Sequence, residues 1–495
     1  MNARVVVIGA GIGGLSAAIH LAARGYRVTV VEKLDRPGGK MGEWRADGFR
    51  WDTGPSVITM RHVYEGLFAA AGRDLRDYLD LVPLQPVTRY FWRDGAQIDA
   101  VTDEEAMAEN IRRAFGPHEV DGYRRFMRYA KRLYDVVSGP FLYRQKPTLR
   151  DLVRLPVADV LKIDALRTMH QAIRAHFSDP HLVQLFDRFA TYNGSSPYRA
   201  PATLNVIAYV EMAQGAWYPR GGIFQLARAW ERLASELGVE VRYNSPAQEI
   251  CIASGKAHGV RLTSGEVIRA DAVVCNVDYT WARETLIPDA HRPRARGALE
   301  PSCSGFVLLL GVRGVHEPLA HHNIFFTRDY RREFDDIFVR RIAPRDPTLY
   351  VCITSKTDPD HAPPGCENWF VLVNAPYLSE AYDWRAGTER YAQHIKGLLV
   401  ANLGCVLPLN DVRELVKVEH RLTPLDLQTT YGGHRGAIYG FSSNTRTAAF
   451  MRPANRDGKI GRLYFASGSA HPGGGVPLVT LSGIAAARCV EEDLR

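Results

Sequence analysis

The stretch from Val5 to Glu32 constrains the fold more tightly than any other part of the chain. Val5, Val6, Val7 and Ile8 make a short β-branched run suited to a strand covered on both faces, and it leads straight into Gly9-Ala10-Gly11-Ile12-Gly13-Gly14. Leu15, Ala17, Ala18, Ile19, Leu21 and Ala22 are good helix formers, Gly25 is placed to end that helix, and Val28 to Val31 supply a second strand. The unit is βαβ. Gly9, Gly11 and Gly14 fit the dinucleotide fingerprint: one for the tight turn, one for close approach to a pyrophosphate, one for packing of helix on strand. Glu32 closes the unit with a carboxylate in register to accept hydrogen bonds from an adenosine ribose.

Two further glycine turns belong with this unit. Lys33-Leu34-Asp35-Arg36-Pro37-Gly38-Gly39-Lys40 lets backbone pass close to a large ligand and leaves a cation beside it, and Asp52-Thr53-Gly54-Pro55-Ser56 adds a tight turn with hydroxyls. Near the other end, the strand Leu463 to Ala466 runs into Ser467-Gly468-Ser469-Ala470-His471-Pro472-Gly473-Gly474-Gly475-Val476-Pro477 and then a helix from about Leu478 to Glu491. That helix would aim free N–H groups at a ligand. A cradle at each end of the chain implies one long cofactor gripped from both. FAD has the length, and a helix N-terminus near the flavin pyrimidine would favour the negative charge of the reduced ring.

Between the two cradles lie a helical region and a second set of strands. Residues from about Glu104 to Tyr209 read as helical, punctuated by Pro147, Pro156, Pro180 and Pro197. From Phe141 to Arg174, apolar residues such as Leu149, Leu152, Val153, Val160 and Leu161 interleave with Arg150, Arg154, Lys162 and Arg167, a composition suited to a basic amphipathic helix on a membrane surface and equally to one packed on a core. Tyr218-Pro219-Arg220-Gly221-Gly222 opens a helix from Phe224 to Leu237, and strands are expected at Val239 to Tyr243, Val260 to Leu262, Val267 to Ala270 and Ala272 to Cys275. The continuous apolar runs Gly305 to Gly311, Leu349 to Thr354 and Trp369 to Asn374 suit central strands of a second sheet, one able to wall a hydrophobic pocket.

Composition narrows the class. At 495 residues, two or three domains are expected; 46% hydrophobic and 23% charged residues are ordinary for a soluble chain, and no stretch has the apolar length of a transmembrane helix. The N-terminus enters the first strand without a secretory signal, so an intracellular location is expected. The seven cysteines contain no CxxC pair and read as free thiols rather than a zinc site or disulfide framework. A net charge of +8 suits phosphate ligands or an anionic membrane surface; with no zinc-finger spacing, RNP-like sequence or long basic run, nucleic acid is not indicated. No metal site, Ser-His-Asp triad or Cys-His pair competes with a flavin, which would carry the chemistry itself.

The segments VVVIGAGIGGLSAA, EKLDRPGGK, DTGPSVIT, WYPRGGIFQLARA, HHNIFFTRDY, GCENWFVLVNAP, GAIYG and FASGSAHPGGGVPLVTLSG resemble the flavin-dependent carotenoid oxidoreductases of the bacterial phytoene-desaturase type, within the flavin amine-oxidase superfamily. The resemblance covers nearly the whole chain, and the HPGGGxP signature is its most specific part. It implies an α/β (α+β) fold: a Rossmann-like FAD-binding domain of the glutathione-reductase/amine-oxidase type (1–70, 215–295 and 445–495), a mixed-sheet substrate domain (71–100 and 296–444) and a helical cap (101–214) that contacts a membrane. It implies FAD held by Gly9, Gly11, Gly14, Glu32 and Lys33, with Gly39 and Lys40 near the pyrophosphate, Gly54, Pro55 and Ser56 near the flavin, and Gly468, Ser469, Val476 and Pro477 closing the site. Lys40 stands where many members have arginine, and Ser469 where the wider superfamily often has an acidic residue.

The implied reaction is desaturation of a long acyclic carotene by hydride transfer to flavin, with electrons passed on to oxygen or a quinone. The enzyme would sit peripherally on the cytoplasmic face of the cell membrane. Terminal-methyl oxidation to an aldehyde is the runner-up; a flavin amine oxidase and a non-catalytic carotenoid-binding flavoprotein are the readings from other classes. Glu211, Arg220 and His471 lie in or near family motifs and are candidates to polarise substrate or relay protons, each with an alternative as a hydrogen-bond partner that stabilises its motif.

Overall fold

Successive residues of the first strand face opposite ways, and each face is buried by a different layer. In the computed structural model, which describes residues 3–143, 163–292, 299–404, 412–445 and 448–495, Arg4–Ile8 lies at the centre of a five-stranded sheet. The order is Leu463–Phe465, Ala272–Cys275, Arg4–Ile8, Arg27–Val31, Glu240–Arg242, and every pairing is parallel. Val5 and Val7 pack with the helices Ile12–Ala22, Phe224–Glu236 and Val476–Leu494, while Val6 and Ile8 pack with the antiparallel three-stranded sheet of Ala247–Ala253, Lys256–Leu262 and Val267–Arg269. Coverage on both faces is why the strand is β-branched from Val5 to Ile8 rather than alternating.

Small residues bring the first and last helices together. A Cβ at Gly483 would stand 2.3 Å from the Gly13 carbonyl, and one at Gly14 would stand 2.1 Å from the Gly9 carbonyl. The C-terminal helix begins two residues earlier than the sequence pattern indicates, at Val476, because Gly475 takes a φ of +103° as its N-cap and Pro477 fits the first turn. The strand expected at Val239 to Tyr243 is shorter, Glu240–Arg242.

The second sheet has seven strands in the order Val416–Leu422, Ser304–Arg313, Cys366–Ala375, Leu349–Ile353, His322–Phe325, Thr88–Phe91, Gln97–Ala100, all antiparallel except the pairing of His322–Phe325 with Thr88–Phe91. Phe306, Leu308, Leu310 and Val312 point to the helix Trp384–Leu403, and Val307 and Leu309 point the other way. Over the open side of this sheet stand the helices Glu104–Phe115, His118–Val137, Pro180–Asp187 and Val206–Gln214, around Ile111, Phe126, Leu182, Phe186 and Phe189.

The region from Phe141 to Arg174 is not a single amphipathic helix. Thr168 caps a separate helix, Met169–Arg174, through a capping box with Gln171, and Met169, Ala172 and Ile173 are buried in the helical core. Arg150, Arg154 and Lys162 lie outside the described residues. Six cysteines are free and buried; Cys405 also lies outside the described residues. Among the described residues, no helix is long and apolar enough to cross a membrane.

Candidate functional site

A continuous cavity of about 1480 Å³ joins the two cradles to the second sheet and the helical cap. At one end it is lined by Gly9, Gly11, Glu32 and Lys33; midway by Gly39, Lys40, Gly54, Pro55 and Ser56 on one side and Gly468, Ser469, Val476 and Pro477 on another; beyond them by Val307, Phe370 and Leu372 of the sheet and Val137, Leu204, Ile207 and Val210 of the cap. Phe141, Leu142, Ile163 and Ala165 also face it.

Local backbone demands explain the polar end. Gly9 has a φ of +99°, and its N–H donates to the Val31 carbonyl (2.8 Å), which locks the turn onto the second strand. A Cβ at Gly11 would lie 2.5 Å from Asn276 Oδ1, and one at Gly54 would lie 2.1 Å from the Lys40 carbonyl, so both turns run against other parts of the chain as well as the cavity. Buried Glu32 accepts the Ala10 N–H at 2.7 Å on one carboxylate oxygen and the Leu34 N–H at 2.9 Å on the other. Burial holds its carboxyl above the usual range, against the pull of those two N–H groups. Each oxygen keeps acceptor capacity, which fits a vicinal diol such as an adenosine ribose. Together with the bare glycine wall and the N-terminus of the long helix Val476–Leu494 at the far side, this is a fit to FAD.

Several of these side chains also tie the cradles to each other. Lys40 Nζ donates to the carbonyls of Ala437 (3.1 Å) and Ile438 (2.6 Å), and removal from bulk water brings its ammonium down to about 8, with Asp278 opposing the shift. Lys33 is exposed at the cavity edge, its Nζ 3.4 Å from the Thr429 carbonyl. Ser469 Oγ accepts the Tyr279 N–H (2.7 Å) and shares a 3.0 Å bond with Ser467 Oγ, so its hydroxyl is spent within the protein. Ser56 Oγ shares a 2.6 Å bond with the Tyr350 hydroxyl across the cavity floor.

Of the three acid–base candidates, only Glu211 lines the cavity. Arg188 Nη2 donates to Glu211 Oε1 (3.0 Å) and to the Tyr90 hydroxyl (2.7 Å), and the Tyr192 hydroxyl donates to Glu211 Oε2. Arg220, by contrast, is exposed and pairs with Asp80 at 3.0 Å, in keeping with its alternative as a partner that stabilises its motif. His471 is fully buried but not on the cavity wall: its N–H donates to the Pro453 carbonyl (2.9 Å) and its carbonyl accepts from Asn455 Nδ2 (2.9 Å), as a residue that shapes its turn.

Sequence reasoning missed several residues of the site. Asn276 packs on the glycine turn and donates to the Ala466 carbonyl, joining the two cradles. Buried Arg452 donates to the carbonyls of Gly468 (3.2 Å) and Phe441 (2.9 Å). Arg188, Tyr192, Tyr350 and His322 all line the cavity. Only His322 sits in a recognisable motif, HHNIFF; the others carry no spacing that marks them. His321, His322 and Cys352 form a buried cluster of metal-ligating types among the described residues, although burial pushes the Cys352 thiol up and so keeps it protonated.

Comparison with known proteins agrees with this geometry. Residues 12–491 match the family described as flavin containing amine oxidoreductase. The chain is 39% identical over 490 residues to a 4,4'-diapolycopene oxygenase from Methylomonas sp, covering 97% of each chain. It is 38% identical over 493 residues to a hydroxyneurosporene desaturase from Rubrivivax gelatinosus, covering 98% of this chain and 92% of the other. Among solved structures, an oxidoreductase from Methanosarcina mazei superposes with a TM-score of 0.63 at 18% identity, covering 98% of this chain and 100% of the other, a likeness of fold.

Proposed function

On the premise that the chain belongs to the flavin containing amine oxidoreductases, and within them to the carotenoid desaturases and oxygenases, we propose that it desaturates a long acyclic carotene in an FAD-dependent reaction. The observation that carries this reading is the single cavity that passes from the Glu32 cradle into a wall of Val307, Phe370, Leu372, Val137, Leu204, Ile207 and Val210. Such a wall offers a polyene dispersion contact along its length and excludes water from the reacting carbons. FAD bound in the cradle supplies the acceptor for a hydride. Glu32 orients the cofactor, Lys40 holds the Ala437–Ile438 segment against it, and the C-terminal helix offers its N-terminus to negative charge. Arg188, Glu211 and Tyr192 form a hydrogen-bonded polar group in the apolar wall, with Arg188 Nε left without a partner, which fits a substrate carrying a polar terminus.

Oxidation of a terminal methyl to an aldehyde is the second reading, favoured by the 39% identity to an oxygenase. Incubation with neurosporene or lycopene under labelled oxygen separates the two. The expected product is two hydrogens lighter and carries no label; label in a terminal aldehyde would overturn desaturation.

The electron acceptor is oxygen or a quinone. Since the substrate dissolves only in lipid, and the Phe141 to Arg174 region combines basic with apolar residues, the protein docks peripherally on the cytoplasmic face of the membrane.

A further inference from the structure

We propose that Ser56, Tyr350, His322, His321 and Thr357 form a relay that carries the proton lost in desaturation from the cavity to the surface. The inference rests on the desaturation reading. Converting a CH–CH unit to C=C breaks two C–H bonds: one hydrogen leaves with its electron pair as hydride to FAD, the electron pair of the other becomes the π bond, and a proton is released. In a largely apolar cavity an isolated buried charge is costly. A route of hydrogen-bonding groups is required.

The structure provides one route with named joints. The Ser56 hydroxyl in the cavity wall shares a 2.6 Å bond with the Tyr350 hydroxyl, which shares a 2.8 Å bond with His322 Nδ1. His321 Nδ1 shares a 2.7 Å bond with the Thr357 hydroxyl, and Thr357 is partly exposed. Just beyond it, the Thr357 carbonyl accepts from Nη1 of the exposed Arg220 at 3.5 Å. Between the halves, the two imidazoles meet edge to face with centroids 4.5 Å apart, and one nitrogen of each lies within 4.8 Å of the other. Each ring spends Nδ1 on a hydroxyl and keeps a buried Nε2 without a hydrogen-bond partner. Two orphaned nitrogens of one type, side by side, are a cost that packing alone does not explain. The relay therefore requires a ring rotation or one bridging water at this joint.

Hydroxyls and neutral imidazoles can each accept a proton on one atom while giving up another, so the chain returns to its starting state after a proton passes and its tautomers reset. Burial brings His321 down to about 3, with Asp358 opposing and His361 adding to the shift. His322 is held well below the usual imidazole range by burial and then by His321 and Arg188. Neither ring stores the proton, which suits transit rather than capture.

The test uses the full-length, FAD-loaded protein with neurosporene in phosphatidylcholine vesicles, mixed without oxygen while flavin absorbance is followed. Tyr350→Phe cuts the relay near the cavity and Thr357→Val cuts it at the surface. Each is expected to slow bleaching on the order of a hundredfold while FAD content and carotene binding persist. The double variant is expected to be no slower than the worse single, since both lie in series. Additive losses, losses that follow carotene affinity, or variants that keep pace with wild type overturn the relay alone; a wild type that does not bleach overturns the desaturation reading beneath it. A readout independent of turnover comes from 15N-histidine NMR of the FAD-loaded protein at pH 7. Two neutral imidazoles are expected, one perturbed by Tyr350→Phe and the other by Thr357→Val, and a protonated imidazole at either position would overturn the relay.

Discussion

Lys40 concentrates the electrostatics of the cofactor cradle in one side chain. Its ammonium donates to two backbone carbonyls at the cavity wall, where the family resemblance puts the pyrophosphate, yet its desolvated position brings it down to about 8. Below that pH the charge is present; above it both the attraction to phosphate and the charged character of the two hydrogen bonds are lost. FAD should therefore bind more weakly as pH rises from 7 to 9, by about tenfold, since a charged hydrogen bond is worth about 1.5 kcal/mol. Arginine stays charged over that range, so Lys40→Arg should bind FAD with a flat profile even where its fork fits the two carbonyls less well. Equilibrium dialysis across that range measures both, and parallel profiles for the two proteins would exclude Lys40 as the titrating group.

At the level of elements, the crossing of the helices Ile12–Ala22 and Val476–Leu494 sets how well the two cradles align. Because a Cβ at Gly483 would meet the Gly13 carbonyl at 2.3 Å, Gly483→Leu should force the helices apart at a cost of roughly 1–3 kcal/mol. Thermal unfolding should show a lower midpoint together with reduced FAD content; a stable variant that lost FAD only would mean the crossing does not support the fold. The strand–turn–helix units were legible in the sequence because βαβ periodicity and glycine spacing are local, and Glu32 could be found by its register with Gly9, Gly11 and Gly14. The order of the seven-stranded sheet was not, since Thr88–Phe91 pairs with His322–Phe325 across nearly half of the chain, and nothing local encodes that choice. The same reason hides Tyr350 and Arg188, which become site residues only when distant segments meet, and left two roles open for Arg220, whose side chain turns to Asp80 rather than to the cavity.

For the whole molecule, the stretch proposed to dock on a membrane is flanked by cavity residues: Phe141 and Leu142 before residues 144–162, and Ile163 and Ala165 after them, all line the cavity. Flotation with anionic vesicles should bring the protein up at low salt and release it as ionic strength rises, and changing Arg150, Arg154 and Lys162 to Glu should abolish flotation. Equal flotation of that variant would put the contact elsewhere. The parallel sheet carries a last consequence, for biosynthesis. Its strands come from Arg4–Ile8 and Arg27–Val31 at one extreme and Leu463–Phe465 at the other. A ribosome adding about 5–20 residues per second takes roughly 20–90 s to pass from the first pair to the last strand. Through that interval the nascent chain holds half a nucleotide site, so cofactor loading is a late event that waits for the strand Leu463–Phe465 and the helix after it.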